Sequence, residues 1–172
     1  FTLRTNSVRS RKQKYDFKIV NLSSKTLRYE FLNERNLQGK MDHSNVLRLY
    51  SHTTMWIPQR IGLLFLEKTN FTLRERLQRA RTGKLITNRT DLIKHLLSGL
   101  DHIHTRTNPI CHLQLSLDNI FVKDNSDGSC DIKIGNFSKA QFVTPTDEVE
   151  DVTSALIDLD DPVGPDVDME AS

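Results

Sequence analysis

Eight residues, His112 to Asn119, hold most of the side chains in this chain that could do chemistry. They read His112-Leu113-Gln114-Leu115-Ser116-Leu117-Asp118-Asn119, and Asn136-Phe137-Ser138 begins seventeen residues after Asn119. Two places after His112 stands an amide, Gln114, which cannot serve as a carboxylate base. His112 therefore reads as a packed, hydrogen-bonded scaffold residue rather than half of an acid–base pair. Asn119 and Asn136 have amide oxygens that can touch a hard cation but bring it no negative charge. Each also has a plainer role, Asn119 bracing its loop and Asn136 making a turn. Lys18 and Glu34 complete the set. As residue types alone, Lys18 reads as a solvated strand lysine and Glu34 as a solvated helix residue.

The elements that must position these groups follow from the hydrophobic pattern. Residues 15–22 alternate apolar and polar, which predicts a strand carrying Lys18. Leu27, Phe31, Leu32, Leu37 and Met41 recur at helical spacing, which predicts a helix over 26–41 carrying Glu34. Val46 to Tyr50 reads as a strand. Ile61 to Glu67 is an apolar run of strand length, with Thr54 to Pro58 as its hairpin partner. Thr72 and Glu75 fit a capping box opening a short helix. A longer helix, capped by Asn88 or Thr90, puts Leu92, Ile93, Leu96, Leu97, Leu100, Ile103 and His104 on one face and ends at Asn108-Pro109. Residues 120–122 and 132–134 read as two short strands around a turn-forming Asp124 to Ser129 loop. Periodicity alone yields an α+β domain.

Composition sets the limits. Of 172 residues, 37% are hydrophobic and 27% charged, low and high enough to imply solvated segments beside a packed domain. The net charge of +2 is uninformative, but its distribution is not. Residues 1–14 carry five basic groups and no acid, while 147–172 carry acids and no base. Both read as solvated, and residues 144–172 as an acidic, disordered tail. The basic head is too short to make a nucleic-acid footprint. Cys111 and Cys130 lack metal-ligand spacing, no apolar run reaches membrane-spanning length, and no signal-peptide core opens the chain. A reducing, cytoplasmic compartment and a protein partner are the resulting expectations.

The motifs resemble those of protein kinases across about residues 15 to 141. The kinase catalytic loop, H-R-D-L-K-x-x-N, is matched here by H-L-Q-L-S-L-D-N, and the metal loop D-F-G by N-F-S. Glu34 followed by His43-Ser44-Asn45-Val46 resembles the regulatory-helix Glu and its H-P-N-I sequel. Leu63 to Glu67 resembles the strand entering the hinge. Leu100 to His112, with its Arg106-Thr107-Asn108-Pro109 spacer, is most like the with-no-lysine kinases and their inactive relatives, the nuclear receptor-binding proteins.

The resemblance implies a partial protein kinase-like domain over 15–143: a small β lobe with one helix, then the first part of a helical lobe. It makes Lys18 and Glu34 the nucleotide-side ion pair, at slightly short spacing, and Asn119 and Asn136 the metal positions. It also implies impaired chemistry. Gln114 replaces the catalytic Asp, Ser116 the loop Lys, Leu113 the phosphate-reading Arg and Asn136 the metal Asp. The first glycine is Gly39, so no phosphate-cradling glycine loop precedes Lys18. No bound cofactor is expected, with ATP and Mg²⁺ the ones to test. Three readings follow: a catalytically dead binding or scaffold module, a divergent Ser/Thr kinase with weak activity or retained ATP binding, and a kinase-derived chain stable only beside a partner. With few lower-lobe helices to cover it, the Leu92, Leu96, Leu100, Ile103 face is expected to be partly uncovered.

Overall fold

The computed structural model describes residues 8–9, 14–56, 60–80 and 89–143. Strand β1 (Val8–Arg9) pairs antiparallel with β2 (Lys14–Asn21), helix α1 (Lys25–Gln38) follows, and β3 (Leu49–Met55) and β4 (Ile61–Glu67) complete a four-stranded sheet in the order β1-β2-β4-β3. Part of the basic head is thus folded, because Val8 lies opposite Tyr15. The acidic tail lies outside the described residues.

The second half holds β5 (Phe71–Thr72), α2 (Leu73–Ala80), α3 (Arg89–His104), β6 (Ile110–Cys111), β7 (Ile120–Asp124), β8 (Cys130–Ile134) and β9 (Gln141–Phe142). Strands β5-β7-β8 form one sheet and β6-β9 another. This is the expected α+β architecture: a small β lobe with one helix, joined to the first helices of a second lobe.

Local chemistry explains most of the boundaries. The Thr72–Glu75 capping box forms in both directions: Glu75 Oε2 accepts the Thr72 amide at 2.9 Å and Thr72 Oγ1 accepts the Glu75 amide at 3.2 Å. Gly128, at φ 86°, makes the reversal between β7 and β8. Helix α1 stops at Gln38, short of the expected 41. Met41 still reaches the core, from a turn closed by its amide on the Gln38 carbonyl.

The expected strand at 46–50 needs correction. Val46-Leu47 does not begin a strand of the first sheet. The Leu47 amide donates to Ile134 O at 2.8 Å and the Ile134 amide to Asn45 O at 2.9 Å, a parallel bridge between the lobes. The strand proper starts at Leu49 and runs on to Met55, so the expected strand at 46–50 and its neighbour at 54 belong to one edge strand. The polar His52-Thr53-Thr54 stretch hid its middle, because an edge strand needs little apolar patterning.

Helix α3 keeps a partly uncovered face, as expected: the β7–β8 hairpin buries Ile103 and leaves Leu92, Leu96 and Leu100 half-buried. Ile103 is fully buried with Ile134 and Phe137, Leu92 and Leu96 pack on Val122 and Ile132, and Leu100 packs beside Ile103. The exposed apolar residues are Ile93 and Leu97, one step around the helix.

Candidate functional site

The inner face of β2 carries Asp16, Lys18 and Val20, since alternate residues share a face. Val20 packs with Phe31 and Leu64, which seats α1 beneath the sheet. That seating puts Glu34, one helical turn beyond Phe31, against Lys18. Lys18 Nζ donates to Glu34 Oε2 at 2.6 Å, with Glu34 almost wholly enclosed. Burial pushes the Glu34 carboxyl above its ordinary range, and the Lys18 ammonium acts against that rise.

The same Nζ donates to Asn136 Oδ1 at 3.0 Å. Asn136 Nδ2 donates to Asn119 Oδ1 at 2.8 Å, and Asn119 Nδ2 to the Gln114 carbonyl at 2.7 Å. The orientation of this amide chain is fixed at both ends. Lys18 can only donate and a backbone carbonyl can only accept, so both amides must point one way. Ser138 Oγ adds a second donor to Asn136 Oδ1 at 3.0 Å, with Gln114 Oε1 at 3.4 Å on its other side. Asn136 sits at φ 65°, a left-handed conformation that Asn tolerates better than most residues.

His112 supports this from below. Its Nδ1 accepts the Gln114 amide at 3.2 Å, so the proton lies on Nε2, which donates to Gly135 O at 3.0 Å. Burial holds its pKa below the ordinary value, and the Gly135 bond opposes that. The ring meets Phe137 edge-on, with centroids 4.8 Å apart. Leu113 forms the tip of a three-residue turn at φ 57°, closed by the Gln114 amide on His112 O, and its side chain is exposed. Ser116 is also exposed.

Lys18, Glu34, Gln114, Asn119, Asn136 and Ser138 thus line one cavity of about 270 Å³ between the lobes. Leu113, Ser116 and His112 do not line it.

Residues 5–157 match the protein kinase domain family. The chain belongs to that family. No curated protein matches the sequence significantly.

Protein kinase domains hold their metal ions through a catalytic-loop Asn and a metal-loop Asp. The residues at those positions here do not fit Mg²⁺. Asn136 Oδ1 already accepts two hydrogen bonds and Asn119 Oδ1 one, and neither carries charge. Among the described residues, no group of three or more His, Cys, Asp or Glu is placed to hold a metal. Among them, too, no helix is long and apolar enough to cross a membrane.

Sequence reading missed Asn33. Its Nδ2 faces the carbonyls of Phe137 at 3.3 Å, Ser138 at 3.1 Å and Ala140 at 2.8 Å, tying α1 to the segment that holds Asn136. The ion pair of Lys139 with Glu30 reinforces the tie. An Asn on the flank of an amphipathic helix gives no sign of acceptors more than a hundred residues away.

Proposed function

We propose that this kinase-family chain is a pseudokinase, a binding or scaffold module in intracellular signalling, in the manner of the nuclear receptor-binding proteins. The observation that carries the reading is the closed amide chain from Lys18 through Asn136 and Asn119 to Gln114. It takes up the oxygens that would meet a metal and the ammonium that would meet phosphate. Gln114 supplies no base. Loss of general-base assistance alone removes about 10²–10⁴-fold in rate, and the missing metal charge and loop lysine compound it. What the site keeps is shape, with α1 held inward by Lys18–Glu34 and Asn33 and the loops fixed by internal bonds. A kinase fold so fixed presents a constant surface to a protein partner without a nucleotide to order it.

The intact Lys18–Glu34 pair, at 2.6 Å, favours a second reading, a divergent Ser/Thr kinase that retains weak ATP binding. Radiolabelled γ-phosphate transfer separates the two. The expected result is no transfer, to the chain itself or to a generic protein substrate, above that of heat-denatured protein. Transfer that disappears in Lys18→Ala overturns the pseudokinase reading.

The amide chain makes its own prediction. In Asn136→Asp the new carboxylate keeps its bond to Lys18 but has no proton for Asn119 Oδ1, so two acceptors face each other. A divalent cation relieves that clash. Millimolar Mg²⁺ is expected to raise the unfolding temperature of Asn136→Asp and to leave the wild type unmoved. A wild type that gains equally would contradict this account of the site.

A further inference from the structure

A hollow of about 540 Å³ opens between the C-terminal end of α1 and β3. Arg35 and Lys40 line it on the α1 side and His52 on the strand side, together with Asn36, Tyr50 and Ser51. Among the described residues no carboxylate lines it. Among them, too, Arg35 and Lys40 form no ion pair, whereas Lys18, Lys123, Lys133 and Lys139 each do. Asp42, two residues beyond Lys40, is turned to Arg48 at 3.5 Å. Burial and the Arg35 charge hold the His52 pKa below its ordinary value. The hollow thus concentrates positive charge without a counter-ion among the described residues.

The chain itself carries the complementary charge. Residues 147–161 contain seven acids and no base, and Asp158, Asp160 and Asp161 stand within four residues of one another. The fold brings the start of that segment close to the hollow. Val143, the last described residue, donates its amide to Pro109 O at 2.8 Å. Three residues before Pro109, the Arg106 guanidinium donates at 3.3 Å to the carbonyl of Lys40, in the wall of the hollow. Three residues span at most about 11 Å, whereas Asp158 follows Val143 by fifteen residues, enough to reach about 50 Å. Single ion pairs at an open surface are weak. A tether offsets that weakness, because a short linker holds its end at an effective concentration in the millimolar range, so a contact of only millimolar strength is occupied about half the time.

We propose that residues 158–161 of this chain dock, through Asp158, Asp160 and Asp161, in the basic hollow between α1 and β3. Seated there, the segment links α1 to the edge strand and braces the helix that carries Glu34. The inference goes beyond the pseudokinase reading and does not rest on it, because the hollow and the cavity at Lys18 share no residue.

Carbodiimide coupling on the full chain reads the contact directly. It joins a lysine amine to a neighbouring carboxylate as an amide, and the carbodiimide takes up the water released. Peptide mapping of the monomer fraction should find Lys40 joined to Asp158, Asp160 or Asp161 at least about threefold more often than the exposed Lys25 or Lys94. The excess should vanish in 1 M NaCl, where charges are screened beyond about 3 Å. Equal coupling at the three lysines overturns the proposal, and so do Lys40 links found only to residues 147–151 or only between two copies of the chain. A second measurement removes the carboxylates instead. In the triple variant Asp158→Asn, Asp160→Asn, Asp161→Asn, acetic anhydride should acetylate Lys40 at least about twofold faster than in wild type, as release from a half-occupied contact requires, with Lys94 unchanged. An unchanged Lys40 rate overturns the docking.

Discussion

Glu67→Gln should destabilise the fold by about 3–5 kcal/mol, the cost of breaking a buried ion pair from one side, and should lower the unfolding midpoint by roughly 6–20 °C for a domain of this size. Glu67 ends β4, and its two oxygens bind two lysines of the second lobe. Oε1 meets Lys123 at 2.6 Å and Oε2 meets Lys133 at 3.0 Å. Lys123 is half-exposed and contributes little. Lys133 is buried, and its remaining partner is the Ser44 carbonyl at 2.6 Å. Removing the Glu67 charge leaves that ammonium enclosed without a counter-ion, which makes the penalty large.

The same residue predicts a pH dependence. Burial pushes the Glu67 carboxyl up, but the lysines outweigh it and hold the pKa below the ordinary value. As pH falls, the unfolded chain takes up this proton first. The stabilisation is therefore complete above the ordinary carboxylate range of about 4–5 and is lost as pH falls through the lower, folded value. Glu34 acts in the opposite sense, because its pKa is raised and its contribution declines as pH rises through the folded value. The difference between wild type and Glu67→Gln isolates Glu67: it should shrink on acidification below about pH 4. Thermal unfolding of both proteins across that range checks it, and a constant difference would contradict the assignment.

Phe31→Ala should cost about 3–5 kcal/mol, as for other buried aromatic truncations. Phe31 is 1% exposed and fills the space between α1 and the sheet. A Cβ placed on Gly62 of β4 would lie 2.5–2.8 Å from three atoms of its ring. Gly62 is thus a seat cut for this ring. Gly62→Ala alone should cost about 1–3 kcal/mol through overpacking. In the Phe31→Ala background the same change should be neutral or stabilising, because the ring it strikes is gone. Denaturant unfolding of the four proteins gives the coupling, and additive costs would refute the picture. Since α1 also carries Asn33 and Glu34, Phe31→Ala should loosen the Lys18 pair as well.

The motif residues were the legible part of the site. Lys18 and Glu34 stand on a strand and a helix whose periods are clear, while Asn119 and Asn136 stand in loops and were marked by their motifs alone. What joins them was not legible. Asn33 acts through the backbone carbonyls of Phe137, Ser138 and Ala140, and a carbonyl leaves no mark on residue type. Lys133, between Ile132 and Ile134, has the alternation of a solvated strand residue. It is buried because β8 has α3 on one side and the Glu67 carboxylate on the other. In the fold, the Ile61 to Glu67 run and the capping box at Thr72 were readable from local chemistry. The bridge at Val46 and the two-residue strands β1, β5, β6 and β9 were not, because such short pairings are set by tertiary contact rather than by pattern.

The central claim is that internal bonds occupy the cleft where other protein kinase domains hold nucleotide and metal. Thermal unfolding of the full chain with and without 5 mM MgATP, roughly a thousandfold above a micromolar Kd, tests it most directly. The account predicts an unchanged midpoint. A rise of several degrees that is lost in Lys18→Ala would contradict it.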